Sequence, residues 1–93
     1  MTKSELIEKI ASKNPHLMVK DVEKIVNVIL HSITESLAAG DRVEFRGFGA
    51  FSVRSRAPRV AKNPRTGKEV KVGQRNIPHF KTGKKLYDML NKQ

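Results

Sequence analysis

From Ala57 to Gly73 the chain runs through a stretch whose apolar side chains are limited to Ala57, Val60, Ala61, Val70 and Val72, broken by Pro58 and Pro64. So few small apolar groups cannot close a core, and this stretch must do its work outside one. Two arrangements are open to it: a loose basic loop, or a two-stranded ribbon tipped by Asn63-Pro64-Arg65-Thr66-Gly67. The ribbon is favoured. Proline presets φ at the second turn position, glycine closes the turn, and the β-branched Val60, Val70 and Val72 fall on the legs. An isolated ribbon is marginal in water, so it is expected to stay mobile until it binds.

Charge says what it would bind. Residues 1–41 hold five lysines against six acids, a net of −1, whereas residues 42–93 hold fourteen bases against Glu44, Glu69 and Asp88, a net of +11. Arg54, Arg56, Arg59, Lys62, Arg65, Lys68, Lys71 and Arg75 are opposed in their own stretch by Glu69 alone. A block of this kind is either a disordered basic tail or a surface for a polyanion. Nucleic acid is the leading partner and an anionic membrane the next. From Ser55 to Pro64, at about 3.3 Å per residue, the leg reaches on the order of 33 Å. That is several times the roughly 6 Å width of a DNA minor groove.

The rest of the chain supplies a small body. Thr2 and Glu5 have the spacing of a capping box, and Leu6, Ile7, Ile10 and Ala11 recur at helical spacing until Asn14-Pro15 ends the run. From Lys20 to Ala39 a second helix is expected, with Val22, Ile25, Val26, Ile29, Ile33 and Leu37 as one stripe, widened by Val28 and Leu30. Gly40 suits its left-handed C-terminal position, while Met18 and Val19 are poor caps for its start. The period then changes to two: Val43 and Phe45 alternate with Arg42, Glu44 and Arg46, which are expected on one strand face. Gly47-Phe48-Gly49 supplies a hairpin, after which Ala50 to Arg56 alternates again, Phe51 and Val53 opposite Arg54 and Arg56. Arg75 to Lys81 reads as a returning strand in which Pro78 demands an edge or irregular place. Thr82 is expected to cap a last helix with Leu86, Met89 and Leu90 as its apolar spacing. Lys84 and Lys85 in its first turn oppose the helix dipole but suit a bound phosphate. The fold class is therefore α+β, one domain over residues 1–93. A helical dimerisation part spans 1–40, a sheet 41–56 and 74–81, a β-ribbon arm 57–73 and a C-terminal helix 82–93.

Once the arm is set aside, the remaining core holds no Trp, and the whole chain offers four Phe and one Tyr. A core this small and a second helix apolar on more than one face argue for an obligate dimer with no stable folded monomer. Catalysis is not expected. His16, His31 and His79 lack metal-ligand spacing and neighbouring carboxylate clusters, and there is no cysteine for a thiolate site or disulfide. His79 reads as a packed or hydrogen-bonding residue, with a base-contacting role kept open by its basic surroundings. No catalytic, cofactor or metal residue is assigned. Gly47-Phe48-Gly49 and Gly83-Lys84-Lys85 lack the rest of a nucleotide-loop signature and read as turn or cap glycines. The charged amino terminus and the absence of a long apolar run give the expectation of a soluble, unexported chain. Glu44 stands either as the group that orients Arg46 through a salt bridge or as incidental, and Pro64 on the residues alone is a turn former.

The segments RGFGAF (46–51), RAPRVAKNPRTGKEV (56–70) and IPHFKTGKKL (77–86) together resemble the bacterial histone-like HU/IHF family of DNA-bending proteins, over essentially the whole chain. Within it, Val43-Glu44-Phe45-Arg46 and His79 in IPHF are more similar to the beta subunit of integration host factor than to HU. Thr82 departs from the proline often found there, without functional consequence. The resemblance implies an intertwined dimer of two N-terminal helices, a three-stranded antiparallel sheet with an extended β-ribbon arm and a short C-terminal helix. Its core would include Ile25, Ile29, Ile33, Leu37, Phe45, Phe48, Phe51 and Phe80.

It further implies arms that wrap double-stranded DNA in the minor groove, with Pro64 as the wedge between base pairs. Arg46 with Glu44 would make the sequence-preferring contact. Arg59, Lys62, Arg65, Lys68, Lys71 and Arg75 would line the arm, with Arg42, Arg54, Arg56 and Asn63 also at the DNA. Lys3, Ser4, Lys81, Lys84 and Lys85 would clamp flanking phosphates. The expected partner subunit is an alpha-like chain or a second copy, in a cytoplasmic, nucleoid-associated setting that serves nucleoid organisation, transcription, recombination and replication. An HU-like homodimer with little sequence preference is the nearest alternative, followed by a basic RNA-binding module. Membrane attachment is not expected, because the bases lie on the arm and not along an amphipathic helix.

Overall fold

The computed structural model describes residues 1–92 and divides into two compact units, Met1–Glu35 and Ser36 onward. In the first, helix α1 (Lys3–Lys13) begins where expected. Thr2 Oγ1 accepts from the Glu5 N–H at 3.2 Å, and its hydroxyl donates to the Glu5 carboxylate at 3.2 Å. The glutamate thus closes on the threonine side chain. At the other end Asn14 donates through its amide to the Ile10 carbonyl, taking up one of the last free acceptors before Pro15. Helix α2 spans Val19–Ala38 and starts without a side-chain cap, so Met18 contributes only its carbonyl, to Asp21 and Val22. The buried apolar side chains of this unit are Ile7, Val22 and Val26, with Leu6, Ile10 and Ala11 packed against them. At roughly 1.5–3 kcal/mol per buried aliphatic side chain, this is a thin core. The expected wide stripe on α2 is covered only in part: Val22 and Val26 are buried, while Ile25 and Ile29 stay 51% and 52% exposed.

The second unit starts with the end of α2, which closes as a Schellman motif. Gly40 at φ +83 donates to the Leu37 carbonyl, and Asp41 donates to that of Ser36. A three-stranded antiparallel sheet follows in the order β1 (Val43–Phe45), β2 (Gly49–Arg56), β5 (Arg75–Thr82). Between β2 and β5 the chain runs out into a separate two-stranded sheet, β3 (Arg59–Lys62) with β4 (Glu69–Val72), which is the expected ribbon. Among the described residues strand β5 pairs only with β2, so Pro78 lies on an edge strand as its missing N–H requires.

The sheet has an aromatic face. Register places Val43 opposite Phe51 and Phe51 opposite Phe80, and Phe80 packs on Phe51 and Phe48 with ring centroids 4.7 and 5.4 Å apart. Phe48 nonetheless stays 49% exposed, as do Phe45 and Phe80 in large part.

Two sequence expectations are corrected here. Strand β1 is three residues long, so Arg42, Glu44 and Arg46 do not share a strand face: Phe48 donates to the Phe45 carbonyl and Gly47 sits at φ +85. That geometry puts Arg46 inside a tight turn that needs a left-handed third residue. Thr82 is the last residue of β5, and helix α3 (Lys84–Leu90) is capped at Gly83, which has no side chain to offer. The cap is tertiary. Gly83 donates to the Phe48 carbonyl at 2.9 Å and Leu86 to the Gly47 carbonyl at 3.0 Å, so the β1–β2 turn satisfies the helix start. A Cβ on Gly83 would lie 3.1 Å from the Gly47 carbonyl carbon, which explains a glycine where a capping side chain was expected.

Gly49 is the tightest point of the sheet. A Cβ there would meet Phe80 Cζ at 2.5 Å and the Lys81 carbonyl oxygen at 2.6 Å. Gly49→Ala is therefore expected to cost about 1–3 kcal/mol, or roughly 5–20 °C in Tm for a domain of this size. A thermal melt followed by circular dichroism checks this, and a Tm within about 2 °C of the parent contradicts it.

Candidate nucleic-acid interface

The outer face of the sheet follows from the register. With Phe51 and Phe80 on one side, Ala50 and Lys81, Ser52 and His79, Arg54 and Ile77, and Arg56 and Arg75 stand opposed on the other. Arg56 and Arg75 face each other directly. Like charges in that relation destabilise a sheet, and an anion laid across them removes the repulsion. His79 is half-buried beside Ser52, as a packed residue would be.

At the far end of the ribbon the tip is fastened locally. Asn63 donates to the Lys68 carbonyl at 2.8 Å, and Gly67, at φ +71, donates to the Asn63 carbonyl at 2.8 Å. The Asn63 side chain accepts from the Arg65 N–H at 2.9 Å, and Thr66 Oγ1 accepts from Lys68 N–H at 3.3 Å. These bonds explain the Asn-Pro-x-Thr-Gly spacing: asparagine and threonine replace backbone partners, and glycine takes the left-handed position. Pro64 and Arg65 are held outward at the apex, both exposed. Along the legs Arg59, Lys62, Lys68 and Lys71 are exposed, and none has a carboxylate within ion-pair distance among the described residues.

A second cluster lies around the β1–β2 turn. Arg42, Glu44, Arg46, Lys81, Lys84 and Lys85 line a groove of about 940 Å³ together with the turn glycines. Asp88 and Lys92 complete its rim. The Glu44 carboxylate pairs with Arg42 at 3.2 Å and not with Arg46, so of the two readings of Glu44 the one that orients Arg46 is not met. The cause is the turn, which takes Arg46 off the strand. Lys92 was missed in the sequence, although Lys85, Asp88 and Lys92 recur at helical spacing and could have shown it. With the Gly83 and Leu86 N–H groups already occupied, what faces this groove from α3 is mainly lysine charge.

Lys3 and Ser4 lie exposed in the first turn of α1, in the other unit. Every residue named from the sequence as a contact to an anion is exposed, from Lys3 to Lys85. Among the described residues no group of acidic or histidine side chains is arranged to hold a metal ion, and no helix is long and apolar enough to cross a membrane.

Comparison with known proteins agrees with this geometry. A family model described as Bacterial DNA-binding protein matches residues 1–91. Anabaena HU, in a cocrystal structure with DNA, is similar with a TM-score of 0.88 at 29% identity, covering 100% of both chains. HU from Thermotoga maritima is similar with a TM-score of 0.66 at 34% identity, over 97% of this chain and 98% of that one. The solution structure of a mutant of transcription factor 1 gives 0.63 at 29% identity, over 100% of this chain and 93% of that one.

Gly67→Val forces a β-branched residue into the left-handed region and is expected to open the tip. Hydrogen exchange at the Asn63 and Gly67 amides should quicken about tenfold or more while Tm shifts by less than about 2 °C, since the tip touches no core. Unchanged exchange at both amides contradicts the assigned turn.

Proposed function

This chain belongs to the bacterial DNA-binding protein family, and on that premise we propose that it is an architectural protein that binds double-stranded DNA and bends it. The observation that carries the reading is the ribbon: a hydrogen-bonded tip with Pro64 exposed at its apex, on legs rich in exposed, unpaired bases. Such a ribbon can follow a minor groove that bending has opened, and an exposed proline ring is an apolar wedge for a base step. The outer sheet face, with Arg54, Arg56 and Arg75, would lie against the duplex. The groove around Arg42, Arg46, Lys81, Lys84 and Lys85 would take phosphates on the flanks, and in the other unit Lys3 and Ser4 would do so by themselves.

The working unit is a dimer. Ile25, Ile29, Phe45, Phe48 and Phe80 are too exposed for side chains of their kind, and a second chain covering them would join two thin cores and present two arms. Ile33, Leu37 and Phe51, already half-buried, would complete that shared core. Capture is electrostatic, and the bend is cheapest at flexible pyrimidine–purine steps, so site preference comes mainly from DNA deformability.

Within the family, Val43–Arg46 and His79 favour a subunit like the beta chain of integration host factor, working with an alpha-like partner in the bacterial nucleoid. In that setting it would support transcription, recombination and replication. The likeness to HU structures favours the second reading, a homodimer with little sequence preference.

Pro64→Ala is expected to reduce bending, read as a fall of about tenfold or more in protein-assisted closure of short DNA rings. Affinity for random duplex should stay within about threefold. Equal losses in both contradict the wedge. With about ten phosphates neutralised per dimer, the slope of log affinity against log salt should be near −9. A slope near zero ends the nucleic-acid reading.

A further inference from the structure

The groove beside the β1–β2 turn is more than a set of cations. Its cations stand on the rim, but much of its wall is Phe45, Gly47, Gly49, Ala50, Gly83 and Met89, which offer a phosphate no charge. Register explains the hollow. Across the outer face of the sheet Glu44, Ala50 and Lys81 stand in one row, and the lone methyl group in the middle leaves a recess between two long side chains. The three glycines put no side chain into it, and at Gly49 none could be accommodated. At about 940 Å³ the groove falls in the range of clefts that hold small organic ligands, roughly 300–1,000 Å³. A phosphate chain alone would use the rim and leave this wall bare.

The opposite wall is one face of α3, where Lys84 and Asp88 follow one another a turn apart, with Lys85 and Met89 beside them. The two acids of the groove differ. Glu44 is held by Arg42 at 3.2 Å, whereas Asp88 has no cation within ion-pair distance among the described residues, although Lys84, Lys85 and Lys92 share its groove. A carboxylate left open among cations repels phosphate, so phosphate capture does not account for it. It is a pure acceptor with two oxygens, suited to a ligand that brings two N–H donors side by side.

Among nucleobases that pattern belongs to guanine. Its N1–H and 2-amino group point the same way, whereas the other bases set a donor beside an acceptor. A flat ring also suits the uncharged wall, since a methionine sulfur packs favourably on aromatic systems. At 1.5 Å per residue Asp88 lies about 6 Å along α3 from Lys84, which leaves room for a ribose between a base at one and a phosphate at the other.

We propose that this groove binds a guanine nucleoside polyphosphate. The base lies on Ala50 and Met89 and donates to Asp88 through N1–H and the 2-amino group, and the phosphates are held by Lys84, Lys85 and Arg46. The site rests on the groove alone and not on DNA bending. If the same groove takes duplex flanks as proposed above, nucleotide and DNA exclude one another there.

Isothermal titration calorimetry on the full chain without DNA tests it, with GTP, ATP and inorganic tripolyphosphate as probes. GTP is expected to bind about tenfold or more tighter than either of the others, the discrimination a two-point contact to the right base supplies. Asp88→Asn keeps every cation and removes the carboxylate, at an exposed position. It should hold tripolyphosphate at least as tightly as the parent, while its preference for GTP over ATP falls to within about twofold. Equal affinity for the three probes overturns the proposal, because charge alone then suffices, and so does a GTP preference that survives in Asp88→Asn. A chain that prefers GTP and fails to bend DNA keeps this site and loses the DNA reading. A chain that bends DNA without preferring GTP does the reverse.

Discussion

Phe80 is the side chain on which the arrangement depends. It packs between Phe48 and Phe51, lies over the space a side chain at Gly49 would fill, and stands on the strand that brings the chain back from the arm. Because Phe80 anchors β5 against β2, the two strands leave the sheet side by side and the ribbon is launched in register. Because it packs near Phe48, the β1–β2 turn is held where its carbonyls can cap α3. One aromatic contact thus positions both the arm and the groove lined by Arg46 and Lys85.

Everything basic in the second unit stands outside that anchor. A stretch too poor in apolar groups to enter a core is instead kept ordered by its own turn bonds, and its charge stays solvated and unpaired. Exposed cations without partners add little to the stability of a fold, and a polyanion releases counterions when it meets them. The same economy of apolar side chains leaves part of α2 and the aromatic face uncovered, and on the proposed reading this ties DNA binding to dimerisation: a second chain would complete the core and bring a second arm.

Much of this was legible in the sequence. The Thr2 cap, the stop at Gly40, the ribbon tip at Asn63–Gly67 and the edge place of Pro78 are local matters of dihedral and donor chemistry, and they read correctly, although the Glu5 carboxylate takes the Thr2 hydroxyl and not a backbone N–H. The failures are tertiary. Thr82 was the better cap by composition, but the Gly47 and Phe48 carbonyls already served the helix start and left room only for Gly83. Alternation put Arg46 beside Glu44 on a strand, whereas a turn beginning one residue earlier handed Glu44 to Arg42.

The most direct test of the account is end-to-end fluorescence energy transfer across a duplex of roughly 35 base pairs, long enough for both arms of a dimer. The chain is titrated alone and then with an alpha-like partner subunit, with binding followed in parallel by anisotropy. The account predicts a rise in transfer that saturates with binding in at least one of these mixtures. Duplex bound in both with its ends no closer than in free DNA would contradict it.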